Sequence, residues 1–227
     1  MPDTWAKRAP LTGIVAVVLL IASFAIGSDT PEFDASGQEV IDFYVDNEGA
    51  QFVASLLEAV AALFLLFFAG TLRSALRRSE GGTGGLSAIA FAGGTVQAVG
   101  LLSFAGFSFT FADVGDKLDP GAAQALNALD GDFFFMIAVG TAALLLAAGV
   151  SMLRSRAFPK WLAWIAIVLG VLSVTPAGFF VFLAYGIWVL LASIVMLRGS
   201  EPASPAPELL PEYSLVTYVV QRTTCER

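Results

Sequence analysis

One acidic residue stands inside a long apolar stretch: Glu58, within Ala50–Leu72. If that stretch is a membrane helix, Glu58 lies about eight residues, ~12 Å, below its outer end. Keeping a carboxylate ionised at such a depth costs a few kcal/mol on insertion scales. Lipid offers it no hydrogen-bond partner. It must find one in protein or water, or take up a proton. None of the apolar stretches contains Lys or Arg. Glu58 is therefore expected to face the interior and to be uncharged, or paired, at neutral pH. Gln97, Thr141 and Tyr185 fall at nearly the same depth and carry groups able to donate to it. Such a polar layer could serve as a proton or ion site, or as a tie between helices.

Other chemistries lack their residues. The chain has no histidine, and Cys225 is its one cysteine. This removes imidazole acid–base work, Ser-His and Cys-His nucleophiles and His- or Cys-ligated metals. No catalytic residue, cofactor or metal site is expected, and no enzymatic activity. Asp113, Asp116 and Asp119 recur at every third position, and Asp130-Gly131-Asp132 follows. Their oxygens suit Ca²⁺, but EF-hand spacing is missing. They read as a solvated face. The net charge of −7 argues against nucleic acid, which selects clustered Lys and Arg.

These residues must be held by membrane helices. Hydrophobic residues make up 57% of the 227 positions and charged ones 14%, against roughly a quarter charged in soluble domains. The mean hydropathy is +0.78. One soluble core cannot hide so much apolar surface, so the lipid bilayer is the expected partner. Six spans are expected: 11–27, 50–72, 86–112, 133–153, 161–175 and 178–197. The last two form one apolar run, which would be ~55 Å long as a single helix. Thr175-Pro176-Ala177-Gly178 is expected to turn it back as a hairpin. The fold class is thus all-α, a six-helix transmembrane bundle over residues 1–198. Ala90, Gly94 and Ala98 line one stripe, and Ala143, Ala147 and Ser151 another. Small residues at this spacing let helix backbones approach, within one chain or between subunits of a homo- or hetero-oligomer.

Charge gives the orientation. Lys7, Arg8, Arg73, Arg77, Arg78, Arg154, Arg156, Lys160 and Arg198 all fall on one side of six spans. The opposite loops, Ser28–Gly49 and Asp113–Asp132, are acidic and contain only Lys117. By the positive-inside rule both termini are cytoplasmic. The first span has a rival reading as a signal peptide, with Ala25-Ile26-Gly27 as its cleavage site. In the tail, Pro202, Pro205, Pro207 and Pro211 mark an extended linker, followed by the β-prone Tyr213–Val220. The segment 199–227 is expected to be disordered.

Three segments carry a family resemblance: Val40-Ile41-Asp42-Phe43-Tyr44-Val45-Asp46-Asn47, Leu72-Arg73 with Arg77-Arg78, and Phe158-Pro159-Lys160-Trp161-Leu162-Ala163-Trp164. With these, residues 10–198 resemble uncharacterised multi-pass membrane proteins common in actinobacteria, described as a domain of unknown function. The Tyr213–Arg227 tail lies outside the resemblance. It implies a topology and a bacterial plasma membrane, and no mechanism. The expected role is a non-enzymatic structural or interaction protein of the envelope. The alternative is a small transporter or channel component with Glu58 as its proton or ion site. A cavity reaching Glu58 would favour transport, and a closed bundle with Glu58 capped by Gln97 the structural role.

Overall fold

A computed structural model describes residues 7–27, 30–80, 83–154 and 158–199. Every regular element among them is helical. Seven α-helices follow in order: α1 Leu11–Ile26, α2 Gly37–Asp46, α3 Glu48–Glu80, α4 Gly85–Val114, α5 Pro120–Arg154, α6 Lys160–Leu172 and α7 Gly178–Gly199. A 3-10 turn, Gly115–Lys117, joins α4 to α5. The proline-rich linker, the Tyr213–Val220 segment and Cys225 lie outside the described residues.

Local chemistry sets the boundaries. Pro10 and Pro159 precede α1 and α6, and Pro120 opens α5. Proline's fixed φ suits a helix start, where its missing N–H is not needed. Gly84, at φ +73°, caps α4 in the left-handed region that favours glycine. The chain reverses between α6 and α7 over Ser173–Ala177, where the Thr175 hydroxyl donates to the Leu172 carbonyl.

The helices depart from the expected pattern in two respects. Four helices, not six, have the length and composition to cross a membrane: α3, α4, α5 and α7. The other two apolar helices are shorter, 16 residues in α1 and 13 in α6. At 1.5 Å per residue α6 covers only ~20 Å, because it ends before Thr175-Pro176. Conversely, α3, α4 and α5 have 33, 30 and 35 residues. They run to ~45–53 Å, well beyond a ~30 Å hydrocarbon core. The second departure concerns the acidic segments. Ser28–Gly49 holds a helix, α2, started by Ser36, whose side chain accepts from the Glu39 N–H at 3.3 Å. Asp113–Asp132 is mostly helix as well, the tail of α4 and the head of α5.

The core has two parts. The larger joins Ala16 and Leu20 of α1, Leu65, Phe68 and Leu72 of α3, Leu144 and Ala148 of α5, Leu162 and Ala166 of α6, and Trp188 and Ala192 of α7. The smaller seats α2 on the projecting ends of α4 and α5 through Val40, Ile41, Tyr44, Phe111 and Ala123. Tyr44 and Phe111 stack there, with ring centroids 4.6 Å apart. The outward faces are apolar too: Val18, Ile21, Leu63, Phe67, Val99, Leu102, Val171, Phe180 and Ile187 are all exposed.

Small residues set the helix crossings. Ala90, Gly94 and Ala98 are buried, and a Cβ on Gly94 would lie 2.7 Å from Ala69 Cβ of α3. The closest α4–α5 approach uses the neighbouring stripe, Gly93 against Gly140. A Cβ on either would lie 2.8 Å from the other's carbonyl or from Gln97 Cα, and would strike backbone nitrogen atoms as well. Of the α5 stripe, Ala147 and Ser151 are buried and Ala143 is half-buried. Ser151 donates to Glu80 Oε1 at 2.7 Å and Ser87 to Glu80 Oε2 at 3.2 Å, tying α5 and α4 to the end of α3.

Candidate functional site: a cavity with two buried carboxylates

Where α2 meets the bundle, a cavity of about 510 Å³ opens. Its walls come from the end of α1 (Ser23, Phe24, Gly27), from Thr30, Pro31 and Phe33, from Tyr44 of α2, and from Gln51, Ala54, Ser55 and Glu58 of α3. Leu101, Phe104 and Ser108 of α4, Asn127, Asp130, Phe134 and Ile137 of α5, and Phe179 and Phe182 of α7 complete it. The exaggerated length of α3, α4 and α5 creates this space, since their projecting ends support α2 away from the main core. Local ties hold the rim. Asn127 donates to the Glu32 carbonyl at 2.8 Å, and Ser23 donates to the Ala54 carbonyl at 2.9 Å. A Cβ on Gly131 would collide with the Phe33 ring, so this glycine admits the loop against α5.

Two carboxyl groups line the cavity. Glu58 is 6% exposed and Asp130 is 7% exposed. Glu58 Oε1 and Asp130 Oδ1 are buried and have no hydrogen-bond partner among the described residues. Among the described residues, no Lys or Arg lines the cavity. Tyr44 shares this environment from outside the apolar spans. Burial pushes its hydroxyl up to about 12, the nearby Asp130 carboxyl adds to the rise, and a hydrogen bond with Ser108 opposes it. A buried carboxyl group without a cation can hold a proton, or can accept a cation that enters. Among the described residues no three potential ligands gather as a metal cluster.

The four residues expected in one polar layer separate into two places. Glu58 lines the cavity; Gln97, Thr141 and Tyr185 do not. Tyr185 donates to Gln97 Oε1 at 3.0 Å, deep in the bundle. Thr141 donates to the Ile137 carbonyl of its own helix at 2.8 Å. The expected cap on Glu58 is thus absent. The Gln97 carbonyl is taken by Tyr185, and Gln97 Nε2 has no partner among the described residues. Equal depth placed the four together, but helical phase turns them to different neighbours.

Asp130 corrects the reading of the acidic segment as a solvated face. Asp113, Asp116, Asp119 and Asp132 are exposed, whereas Asp130 is buried. A signal was present in the sequence. Ala123, Asn127, Asp130, Ile137, Thr141 and Leu144 recur at helical spacing along one stripe of α5, and all are buried. The polar stretch continues the inward face of the apolar one.

No curated protein and no solved structure matches this chain. A family model described as a domain of unknown function (DUF4386) matches residues 10–216. The match extends past Arg198 into the proline-rich segment, which corrects the narrower limit drawn from the resemblance. The arrangement of α1 to α7, with its cavity, therefore lies within the matched region, and the chain belongs to the DUF4386 family.

Proposed function

We propose that this chain is a non-enzymatic, six-span protein of a bacterial, actinobacterial-type plasma membrane, in which the Glu58–Asp130 cavity is a proton- or cation-binding site serving transport. One observation carries the reading: a cavity of about 510 Å³ reaches two buried carboxyl groups, each with an oxygen that none of the described residues satisfies. A bundle built only for stability gains nothing from such atoms, because an unsatisfied buried polar group is destabilising. The nearby hydroxyls argue against nucleophilic chemistry. Ser23 and Ser55 donate to the backbone carbonyls of Ala54 and Phe52 rather than to Glu58.

Several features support six spans. The outward faces of α1, α6 and α7 are apolar, with Ile21, Val171 and Ile187 exposed. Gly178 opens α7 beside Phe134, at the start of the fourth apolar stretch. The Ser173–Ala177 segment thus supplies the depth that α6 lacks. Helix α1 is built into the bundle: Ala16, Val17 and Leu20 join the core, and Gly13 abuts Phe68. This supports a retained span over a cleaved signal. Arg78, Arg154 and Arg198, in the last turns of α3, α5 and α7, support a cytoplasmic C-terminal side.

The test is flux in proteoliposomes loaded with a pH-sensitive dye. Wild-type protein is expected to pass protons or monovalent cations, and Glu58→Gln to abolish the flux while the protein remains monodisperse. Equal flux in both, or none in either, would return the bundle to a structural role.

A further inference from the structure

We infer that the cavity binds a lipophilic organic cation: a protonated amine or quaternary centre carrying an apolar body of several rings' size. The inference rests on the cation-site reading and names its substrate class. Size comes first. A space of about 510 Å³ lies within the roughly 300–1,000 Å³ of small-molecule sites and greatly exceeds what a dehydrated metal ion fills. Charge comes second. Glu58 and Asp130 supply negative charge, and among the described residues no Lys or Arg lines the wall. A bound anion would have no partner. A zwitterionic lipid headgroup would bring a phosphate into the same deficit, so the ligand is a cation without a phosphate.

The wall comes third. Phe24, Phe104, Phe134 and Phe182 line the same space as the carboxyl groups. Phe182 packs on Phe24 and Phe134 with centroids 6.4 and 6.2 Å away. Such rings offer their negative faces to a cation and an apolar surface to its body. An inorganic cation would want oxygen ligands throughout its shell, whereas rings and aliphatic side chains make up much of this wall. The cavity wall thus combines two carboxyl groups with aromatic rings. That arrangement sorts a ligand into a charged point and an apolar remainder. When the carboxyl groups are protonated, entry of the cation releases a proton to solvent, so ligand and proton compete for the same oxygens. The titratable groups facing the space are Glu58, Asp130 and Tyr44, and the last stays neutral below about pH 10.

Tetraphenylphosphonium is a suitable probe, with tetraphenylborate as the control of equal shape and opposite charge. Equilibrium dialysis against the full chain in detergent should show saturable binding of the phosphonium and only detergent partition of the borate. Glu58→Gln should weaken phosphonium binding about tenfold or more, through loss of the charge partner. Phe182→Leu should weaken it several-fold through loss of the ring face. If Glu58→Gln fails to fold, wild-type protein still decides. Phosphonium carries no titratable proton, so affinity that falls as the pH is lowered reports proton competition at the carboxyl groups. Equal uptake of both ions, or phosphonium binding indifferent to both pH and Glu58, would overturn the inference. Glu58-dependent binding without flux in liposomes would uphold it and defeat transport. Glu58-dependent flux of protons or sodium with no phosphonium binding would do the reverse.

Discussion

At the residue scale, the cavity depends on two carboxyl groups that the sequence discloses unequally. Glu58 interrupts an apolar stretch and is conspicuous there. Asp130 sits among other acids and is concealed by them, although Asn127 and Ile137 share its phase on α5. The expected partners of Glu58 were chosen by depth, and depth does not fix direction. Because no hydrogen bond to Glu58 Oε1 would be lost, Glu58→Gln should change unfolding free energy by less than about 1 kcal/mol. A drop of several kcal/mol in detergent would mean that the carboxyl group is structurally bonded after all. Tyr44 gives a second prediction. Its hydroxyl titrates near 12 when folded, against an ordinary value of 10. The unfolded chain therefore loses its proton first as pH rises. Stability from this group is complete below about pH 10 and is lost between about 10 and 12, by an amount on the order of 2–3 kcal/mol. Tyr44→Phe keeps the stacking on Phe111 and should flatten that alkaline loss. An unchanged slope in the variant would show that the hydroxyl is not buried in the folded protein.

Among the elements, legibility follows how strongly each pattern is forced by burial. The small stripe of Ala90, Gly94 and Ala98 could be read from its spacing, and it is buried. The tighter crossing, Gly93 against Gly140, lies one residue away, and spacing cannot say which of two adjacent stripes meets which neighbour. Helix α2 was hidden by its acidity, yet Ser36-Gly37-Gln38-Glu39 has the form of a capping box, and Val40, Ile41 and Tyr44 form one apolar face. A paired experiment separates crossing glycines from incidental ones. Gly93→Ala and Gly140→Ala place a Cβ against the facing backbone, and overpacking of this kind costs about 1–3 kcal/mol or more. Gly106 has nothing within 4 Å of its would-be Cβ. Gly106→Ala should be neutral or stabilising by up to about 1 kcal/mol, from helix propensity alone. Equal effects in a thermal melt at the three positions would mean that α4 and α5 are not in backbone contact.

For the whole molecule, composition announces apolar helices, but their lengths divide them into four long and two short ones. Hydropathy alone could not foresee this, since caps and turns cut α6 and polar sequence prolongs α5. The number of crossings then turns on α1 and α6, and each has its own reporter. Gln38 is exposed on α2, and Arg78 is exposed near the end of α3. These two must lie on opposite sides once α3 crosses. The position of Cys225 depends on α6. If α6 with its turn crosses, the tail shares a side with Arg78; if it does not, the tail shares a side with Gln38. The N-terminal segment tests α1 in the same way. Cells producing the protein would be treated with a membrane-impermeant maleimide before and after permeabilisation. Native Cys225 should react only after permeabilisation. In a Cys225→Ser background, Gln38→Cys should react in intact cells, while Arg78→Cys and Thr4→Cys should require permeabilisation. Labelling of Cys225 in intact cells would remove α6 from the spans, and labelling of Thr4→Cys there would remove α1. With both results as expected, the side bearing Lys7, Arg78 and Arg198 is the cytoplasm, and the α2 cap over Glu58 and Asp130 faces outward.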